Sequence, residues 1–440
     1  MTELPRQNQN PQALETLSLH AGQQVDPATG AGAVPIYLSS SYFFKSTRHA
    51  VDLFELKEFG NIYTRLQNPT TEVWEKRLAA LEGGSGALGT ASGMAAIFLA
   101  IHNLAQMGDH LVTTTSLYGG TDTLFRHTLP QMGIQTTFVA DSTPANIAAA
   151  IQENTKAVYI ETIANPSGNV LDITGIADAA HAQGIPLIID NTFAPLICRP
   201  IELGADIVIH SCTKWICGHG TSMGGIIVDG GRFDWAASGR FGGFTEPDAS
   251  YHGLVYWDAF GNHPELGNIA FMVKARVQGM RNIGPCPSPF NAFQFIIGLE
   301  SLPLRIKRQC ENALALAQYL KQHKHVDWVI YTGLEGHPSY ANACKYLRGG
   351  FGSVLGFGIK GGLAAGVKFI DAVKLCSHRA SVGDTKTLVL HPASTSHQQL
   401  SESEQRAAGV TPEFIRVSVG LENIGDIKAD LDQALHQAAE

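Results

Sequence analysis

Pro186-Leu-Ile-Ile-Asp190 and Ile207-Val-Ile-His-Ser-Cys-Thr-Lys214 decide the fold. Each is a short apolar run closed at once by polar, chemically capable residues. Such a run, bounded by turn signals, fits a strand buried on both faces, as in a parallel sheet. In these sheets ligands bind beyond the carboxyl ends of the strands. The acid ending the first strand and the Ser-x-Thr-Lys ending the second therefore face one crevice. Pyridoxal phosphate needs this combination: a lysine for a Schiff base, a carboxylate for the pyridine nitrogen and hydroxyls for the phosphate. Taken singly, Asp190 reads as a helix cap and Lys214 as a surface lysine. Their occurrence at successive strand ends is what favours the cofactor.

The same rhythm extends outward. Apolar, β-favouring segments recur at Ala87–Leu88, Leu111–Thr115, Gln135–Val139, Ala157–Thr162, Pro186–Asp190, Asp206–His210 and Gly225–Val228. Helical patterns fall between several of them, at Gly93–Ala105, Thr121–Met132, Pro144–Asn154 and Ile173–Gln183. Alternation at this spacing predicts βαβ units and a mostly parallel sheet. From Asn291 onward the texture changes to helical patterns over Phe293–Leu299 and Leu304–His323. A mixed stretch follows to Val417, with a strand at Ser353–Ile359 and a helix at Ala364–Lys374. The expected organisation is an arm with little regular pattern over 1–62, a large domain over 63–288 and a smaller α+β domain over 289–440.

Composition excludes several classes. The 440 residues exceed what one core serves and carry 31 basic against 39 acidic residues, a formal charge of −8 without like-charge runs. A nucleic-acid groove or an anionic membrane surface needs clustered Lys and Arg, so neither is expected as a partner. No apolar stretch approaches membrane-spanning length, and the polar Met1–Asn10 lacks a signal-peptide core. Seven scattered cysteines suit a reducing cytoplasm. Cys212, Cys217 and His219 match no common zinc spacing; the two cysteines read as buried structural thiols and no metal is expected.

Gly84-Ser-Gly86-Ala-Leu-Gly89 has the dinucleotide pattern but the wrong context. Val73, Trp74, Leu78 and Leu81 place a helix before it and a strand follows, the reverse of the order that motif requires. A better phosphate site is Thr90-Ala-Ser92-Gly93-Met94, which leads into an apolar helix. Ser92 offers a hydroxyl, and the Gly93 and Met94 amides are free donors at the helix start. As an isolated motif Ser92 reads equally as an N-cap; Ser211 and Thr213 complete the cradle.

These stretches, with others, resemble the Cys/Met-metabolism family of pyridoxal-phosphate enzymes, the cystathionine gamma-synthase-like branch of fold type I. The resemblance runs through Tyr63-Thr-Arg65, Asn68-Pro69-Thr70, Ser92-Gly93-Met94, Tyr118-Gly119-Gly120, Glu161 with Asn165-Pro166, Asp190-Asn-Thr192, Ser211-Cys-Thr213-Lys214, His391-Pro-Ala-Ser394 and Arg416-Val-Ser-Val-Gly420. It implies an α/β fold with a mostly parallel seven-stranded sheet, an α+β C-terminal domain and an extended N-terminal arm. Lys214 would hold the cofactor and shuttle protons, Asp190 would keep the pyridine nitrogen protonated, and Tyr118 would stack on the ring. Glu161, Asn165 and Thr192 would surround the ring and its hydroxyl. Tyr63 and Arg65 would reach the phosphate of a neighbouring subunit, giving dimers with shared sites assembled into a homotetramer. Arg416, with Ser381, would clamp the substrate carboxylate.

Departures within the family narrow the expected activity. Gly120 stands where methionine gamma-lyases commonly have cysteine. An aromatic-rich insertion at 229–261 contains Trp235, Phe241, Phe244, Tyr251, Tyr256 and Trp257, suited to narrowing the entrance or to an oligomer contact. This insertion and Gly383–His397 are similar to the O-acetylhomoserine branch. The expected reaction is γ-replacement: O-acetylhomoserine and sulfide give homocysteine and acetate. The alternatives are O-succinylhomoserine or O-acetylserine as substrate, cystathionine formation, methionine cleavage, or a non-catalytic binding protein on the same scaffold.

Overall fold

The computed structural model describes residues 12–395, 398 and 409–440. Residues 1–11 of the expected arm, and Ser396 and His397 of the Gly383–His397 stretch, lie outside the described residues. The strands, in chain order, are β1 Gly86–Thr90, β2 His110–Thr114, β3 Gln135–Val139, β4 Thr155–Glu161, β5 Leu187–Asp190, β6 Ile207–Ser211 and β7 Gly225–Asp229. They form one seven-stranded sheet in the order β1-β7-β6-β5-β4-β2-β3. All run parallel except β7, which lies antiparallel between β1 and β6.

The two quoted runs behave as strands buried on both faces. Leu187, Ile189 and Val208 enter one hydrophobic core, while Ile188, Ile207 and Ile209 enter the core on the other side. That alternation is the two-residue period of the strand. Each fully buried aliphatic side chain contributes roughly 1.5–3 kcal/mol, so polar residues gather at the run ends, Asp190 and Ser211; His210, inside β6, is buried against its partner Glu82 at 2.6 Å.

Helix Pro69–Glu82 precedes β1 and closes on Gly83 in the left-handed conformation, φ 77°. Of the dinucleotide-like glycines, Gly84 therefore follows the helix, while Gly86 and Gly89 lie in β1 itself. Segment 12–62 contains two short helices, Leu14–His20 and Thr47–Phe54. The first is tied down by the buried Arg77, which donates to the Ala21 carbonyl at 3.1 Å and to Gln23 at 3.0 Å.

A second, five-stranded sheet comprises β8 Val326–Ile330, β9 Val354–Ile359, β10 Ser377–His378, β11 Leu388–Leu390 and β12 Phe414–Ser418, in the order β10-β11-β12-β9-β8. The two helical patterns at Phe293–Leu299 and Leu304–His323 are one helix, Pro289–Lys321, running through Pro303. Proline disrupts the bond to the preceding turn. The carbonyl that loses its amide is that of Leu299, while the buried Arg305 donates to the neighbouring Gly298 carbonyl at 2.7 Å.

Four of the six aromatics named in the insertion point inward, while Tyr251 and Trp257 are half-buried. Trp235, Phe241, Phe244 and Tyr256 are buried in the core shared with helix Gly93–Leu104, and Trp235 stacks on Phe244 with centroids 4.7 Å apart. Nor are these four rings available as a surface contact. Among the described residues no helix is long and apolar enough to cross a membrane.

Candidate active site

The carboxyl ends of β4, β5 and β6 bring the site together. Glu161 and Asp190 are direct partners across the β4–β5 ladder. Glu161 is buried and Asp190 half-buried; burial raises both carboxyls, and the Asp190 charge adds to the shift of Glu161, which reaches about 8. Neither has a basic hydrogen-bond partner among the described residues. Glu161 accepts from the Tyr118 amide at 2.5 Å and the Asn165 amide at 3.4 Å. Asp190 accepts from the Thr192 amide at 2.9 Å and the Tyr159 hydroxyl at 3.3 Å. The Thr192 hydroxyl in turn accepts from the Ser211 amide at 2.8 Å, linking the end of β5 to the end of β6.

Ser92 caps helix Gly93–Leu104, its hydroxyl accepting from the Ala95 amide at 3.1 Å. The helix start lies directly against Ser211: a Cβ on Gly93 would stand 2.6 Å from the Ser211 Cβ. Gly225 leaves equally little room on the other side, where a Cβ would meet the Ser92 carbonyl oxygen at 2.2 Å. Helix start and strand end thus form one cradle lined by unpaired amides and a hydroxyl. Thr213 is engaged beside it, accepting from the Gly224 amide at 3.1 Å. Met94 and Tyr118 both border Gly120, where a Cβ would meet the Tyr118 ring at 2.7 Å and the Met94 sulfur at 3.2 Å.

Lys214 follows the β6 end on a tight turn. Its amine donates to the Ser381 hydroxyl at 3.2 Å, and Arg416 on β12 donates to the Ser381 carbonyl at 3.4 Å. Burial, then the Arg416 charge, lowers the Lys214 pKa, which frees a larger fraction of the amine for proton transfer. Burial likewise brings Arg416 down to about 10, leaving it cationic at neutral pH. Tyr63 and Arg65 stand apart. Arg65 donates to the Arg281 carbonyl and lies over the Tyr63 ring at 5.3 Å. Among the described residues no hydrogen bond joins either of them to the Lys214 cluster.

A family model described as Cys/Met metabolism PLP-dependent enzyme matches residues 15–436. The chain belongs to that family. Relatives in the Cys/Met family include the O-acetyl-L-homoserine sulfhydrylase of Leptospira meyeri, 54% identical over 96% of this chain and 96% of that protein. The homocysteine synthase of Schizosaccharomyces pombe is 52% identical over 96% and 98%. A Campylobacter jejuni protein solved with N'-pyridoxyl-lysine-5'-monophosphate superposes with a TM-score of 0.91 at 36% identity, covering 96% of this chain and 99% of that one.

The residues present fit the Cys/Met family's cofactor. Two carboxyls without a basic partner suit a protonated ring nitrogen, and the Gly93–Ser211 cradle suits a phosphate. The Asn165 side-chain oxygen is buried without a partner beside them, an unmet hydrogen-bonding demand that a polar ligand would satisfy. Sequence reading missed the supporting residues. Tyr159 reads as one more apolar residue of β4, yet its hydroxyl reaches Asp190. Arg305 reads as a surface charge, yet it donates to the Trp215 carbonyl at 2.8 Å, just beyond Lys214. Its one signal was position: an arginine on the apolar face of a helix.

Proposed function

We propose that the chain catalyses γ-replacement on O-acetylhomoserine: hydrosulfide forms the C–S bond at Cγ as the C–O bond to acetate breaks, giving homocysteine. The observation that carries this reading is the meeting of Lys214 and Arg416 at Ser381. A buried guanidinium that can hold an α-carboxylate lies one residue's width from an amine that can move a proton. When bound, pyridoxal phosphate supplies the electron sink that acidifies the substrate Cα–H. Asp190, helped by Glu161 and Tyr159, holds the proton on the ring nitrogen. Ser92, Gly93, Met94, Ser211 and Thr213 receive the phosphate; Asn165 and Thr192 flank the ring. Lys214 takes the Cα proton and then serves Cβ, the second abstraction that distinguishes replacement at Cγ from replacement at Cβ. Tyr118, half exposed beside Gly120, would stack on the ring and donate a proton to the leaving group. The substrate choice draws its support from the relatives named for O-acetyl-L-homoserine and homocysteine.

The same reading extends to assembly. Tyr63 and Arg65 serve a neighbour's phosphate, so the minimal active unit is a dimer and the full assembly a homotetramer. Support comes from segment 12–62, which leaves Leu38, Phe43 and Phe54 exposed, Phe43 fully so, next to the exposed Tyr63. All seven cysteines are free and five are buried, which fits a cytoplasmic protein. The division into arm 1–62, large domain 63–288 and C-terminal domain 289–440 follows the two sheets. Steady-state rates with O-acetyl- and O-succinylhomoserine, each offered sulfide or cysteine, test the function. O-acetylhomoserine with sulfide should be fastest. Preference for cysteine, or faster methionine cleavage, overturns the reading.

A further inference from the structure

Far along the chain from Lys214, three histidines and an aspartate converge where helix Pro289–Lys321 ends and the C-terminal helix Ile424–Ala439 passes. His323 and His325 lie in the turn leading into β8. Asp432 and His436 lie four residues apart on the C-terminal helix, a spacing that puts both on one face. One ligand atom from each of His323, Asp432 and His436 lies within 4.8 Å of the other two. The His323 Nε2 is 3.1 Å from one Asp432 carboxylate oxygen, and the His436 Nδ1 is 3.5 Å from the other. The His325 ring completes the group, its centroid 5.6 Å from that of His323 and 5.1 Å from that of His436.

We propose that His323, Asp432 and His436, with His325 as a fourth donor, form a binding site for a divalent transition-metal ion of the zinc class. Imidazole and carboxylate donors together favour zinc, cobalt or nickel over magnesium and calcium, which prefer all-oxygen shells. A tetrahedral ion with bonds of ~2.1 Å needs donor atoms about 3.4 Å apart. The two Asp432 contacts already have that spacing. Binding requires rearrangement only at the rings: His323 Nδ1 accepts from the His325 amide at 3.3 Å, and His436 Nδ1 contacts the Asp432 carbonyl at 2.8 Å. The Tyr319 hydroxyl donates at 2.7 Å to the same Asp432 oxygen that His323 contacts, the kind of outer contact that fixes a ligand's direction. Without an ion, the His323 and His436 imidazoles share one carboxylate, with His325 beside them, an arrangement a dication would complete. The site joins two helices that flank the five-stranded sheet, so the ion would act as a staple between them.

The test uses the full-length, cofactor-loaded protein, chelator-treated and dialysed, then titrated with zinc chloride by calorimetry and by thermal unfolding. About one equivalent per chain should bind, with a rise in Tm by mass action; magnesium chloride should do neither. His323→Ala and His436→Ala should each weaken zinc binding at least about tenfold. Cys344→Ser, which removes an exposed thiol, and His127→Ala, which removes an exposed imidazole, should bind like the parent. Circular dichroism checks that the variants are folded; His436 is well exposed on the last turn of its helix, so its removal leaves the fold in place. Parent uptake no greater than that of the His323→Ala/His436→Ala double variant overturns the proposal, as does equal stabilisation by magnesium.

Discussion

Gly93→Ala adds one methyl group at the tightest point of the cofactor cradle. The new Cβ would stand 2.6 Å from the Ser211 Cβ, 2.9 Å from its Cα and 3.0 Å from its hydroxyl. Ordinary contact begins near 3.4 Å, so helix start and strand end must part by roughly 0.8 Å. Two of the three opposing atoms are backbone or Cβ and cannot rotate away. Retreat the other way is closed as well, because Gly225 holds the Ser92 carbonyl from behind. Overpacking of this kind costs about 1–3 kcal/mol. The gap opens where the phosphate is received, so the loss falls on cofactor affinity: about 5- to 150-fold in Kd. Titrating pyridoxal phosphate into apoenzyme, followed by absorbance and by quenching of tryptophan emission, measures it. Gly119→Ala is the matched control, since a Cβ there meets nothing within 4 Å. A Gly93→Ala Kd within twofold of the parent would refute the cradle.

Arg416→Ala should raise KM for the amino acid by about 30-fold or more, the usual loss on truncating one buried charged partner, while the spectrum of the bound cofactor stays unchanged. Glu161→Gln should flatten the pH dependence of apoenzyme stability. The folded pKa of Glu161 is raised, so its contribution is fully present below about pH 4.5 and is lost as pH rises through about 8; thermal melts across that window should decline more steeply for the parent than for the variant. Mixing inactive Arg65→Ala with inactive Lys214→Ala chains should restore activity through hybrid dimers, each with one intact site. No recovery after verified subunit exchange removes the shared-site model.

What the sequence revealed and what it hid follow from range. The strands ending at Glu161, Asp190 and Ser211 were legible because each is an apolar run with its polar residues gathered at the carboxyl end. Ser92 and Gly93 were legible because a cap and a glycine are local signals. The helix Pro289–Lys321 reads as two because Pro303 is a local breaker, and the burial of Phe295, Leu299, Ile306 and Ala313 along one continuous helix is visible only in space. The meeting of Lys214 with Ser381 spans 167 positions and no periodicity announces it; the family resemblance placed Ser381 beside Arg416 but not against the lysine. The aromatic insertion suggests an entrance or an oligomer contact because its rings cluster in sequence, whereas Trp235, Phe241, Phe244 and Tyr256 are buried in the core shared with a helix more than a hundred residues earlier.

The anchoring of the Lys214 turn has a consequence for how the protein is made. Arg305 grips the Trp215 and Ile216 carbonyls, and the Trp215 indole donates to the Ser353 hydroxyl at 2.9 Å. Gly383 closes over the same indole, its position fixed by the Ser418 hydroxyl at 2.9 Å. Every one of these restraints is encoded downstream of the lysine. A chain ending at β7 carries the strands of the sheet and the residues of the phosphate cradle, but of the restraints on the lysine turn only its own backbone bonds. Ribosome-stalled chains should therefore capture the cofactor only once the segment through Ser418 has emerged.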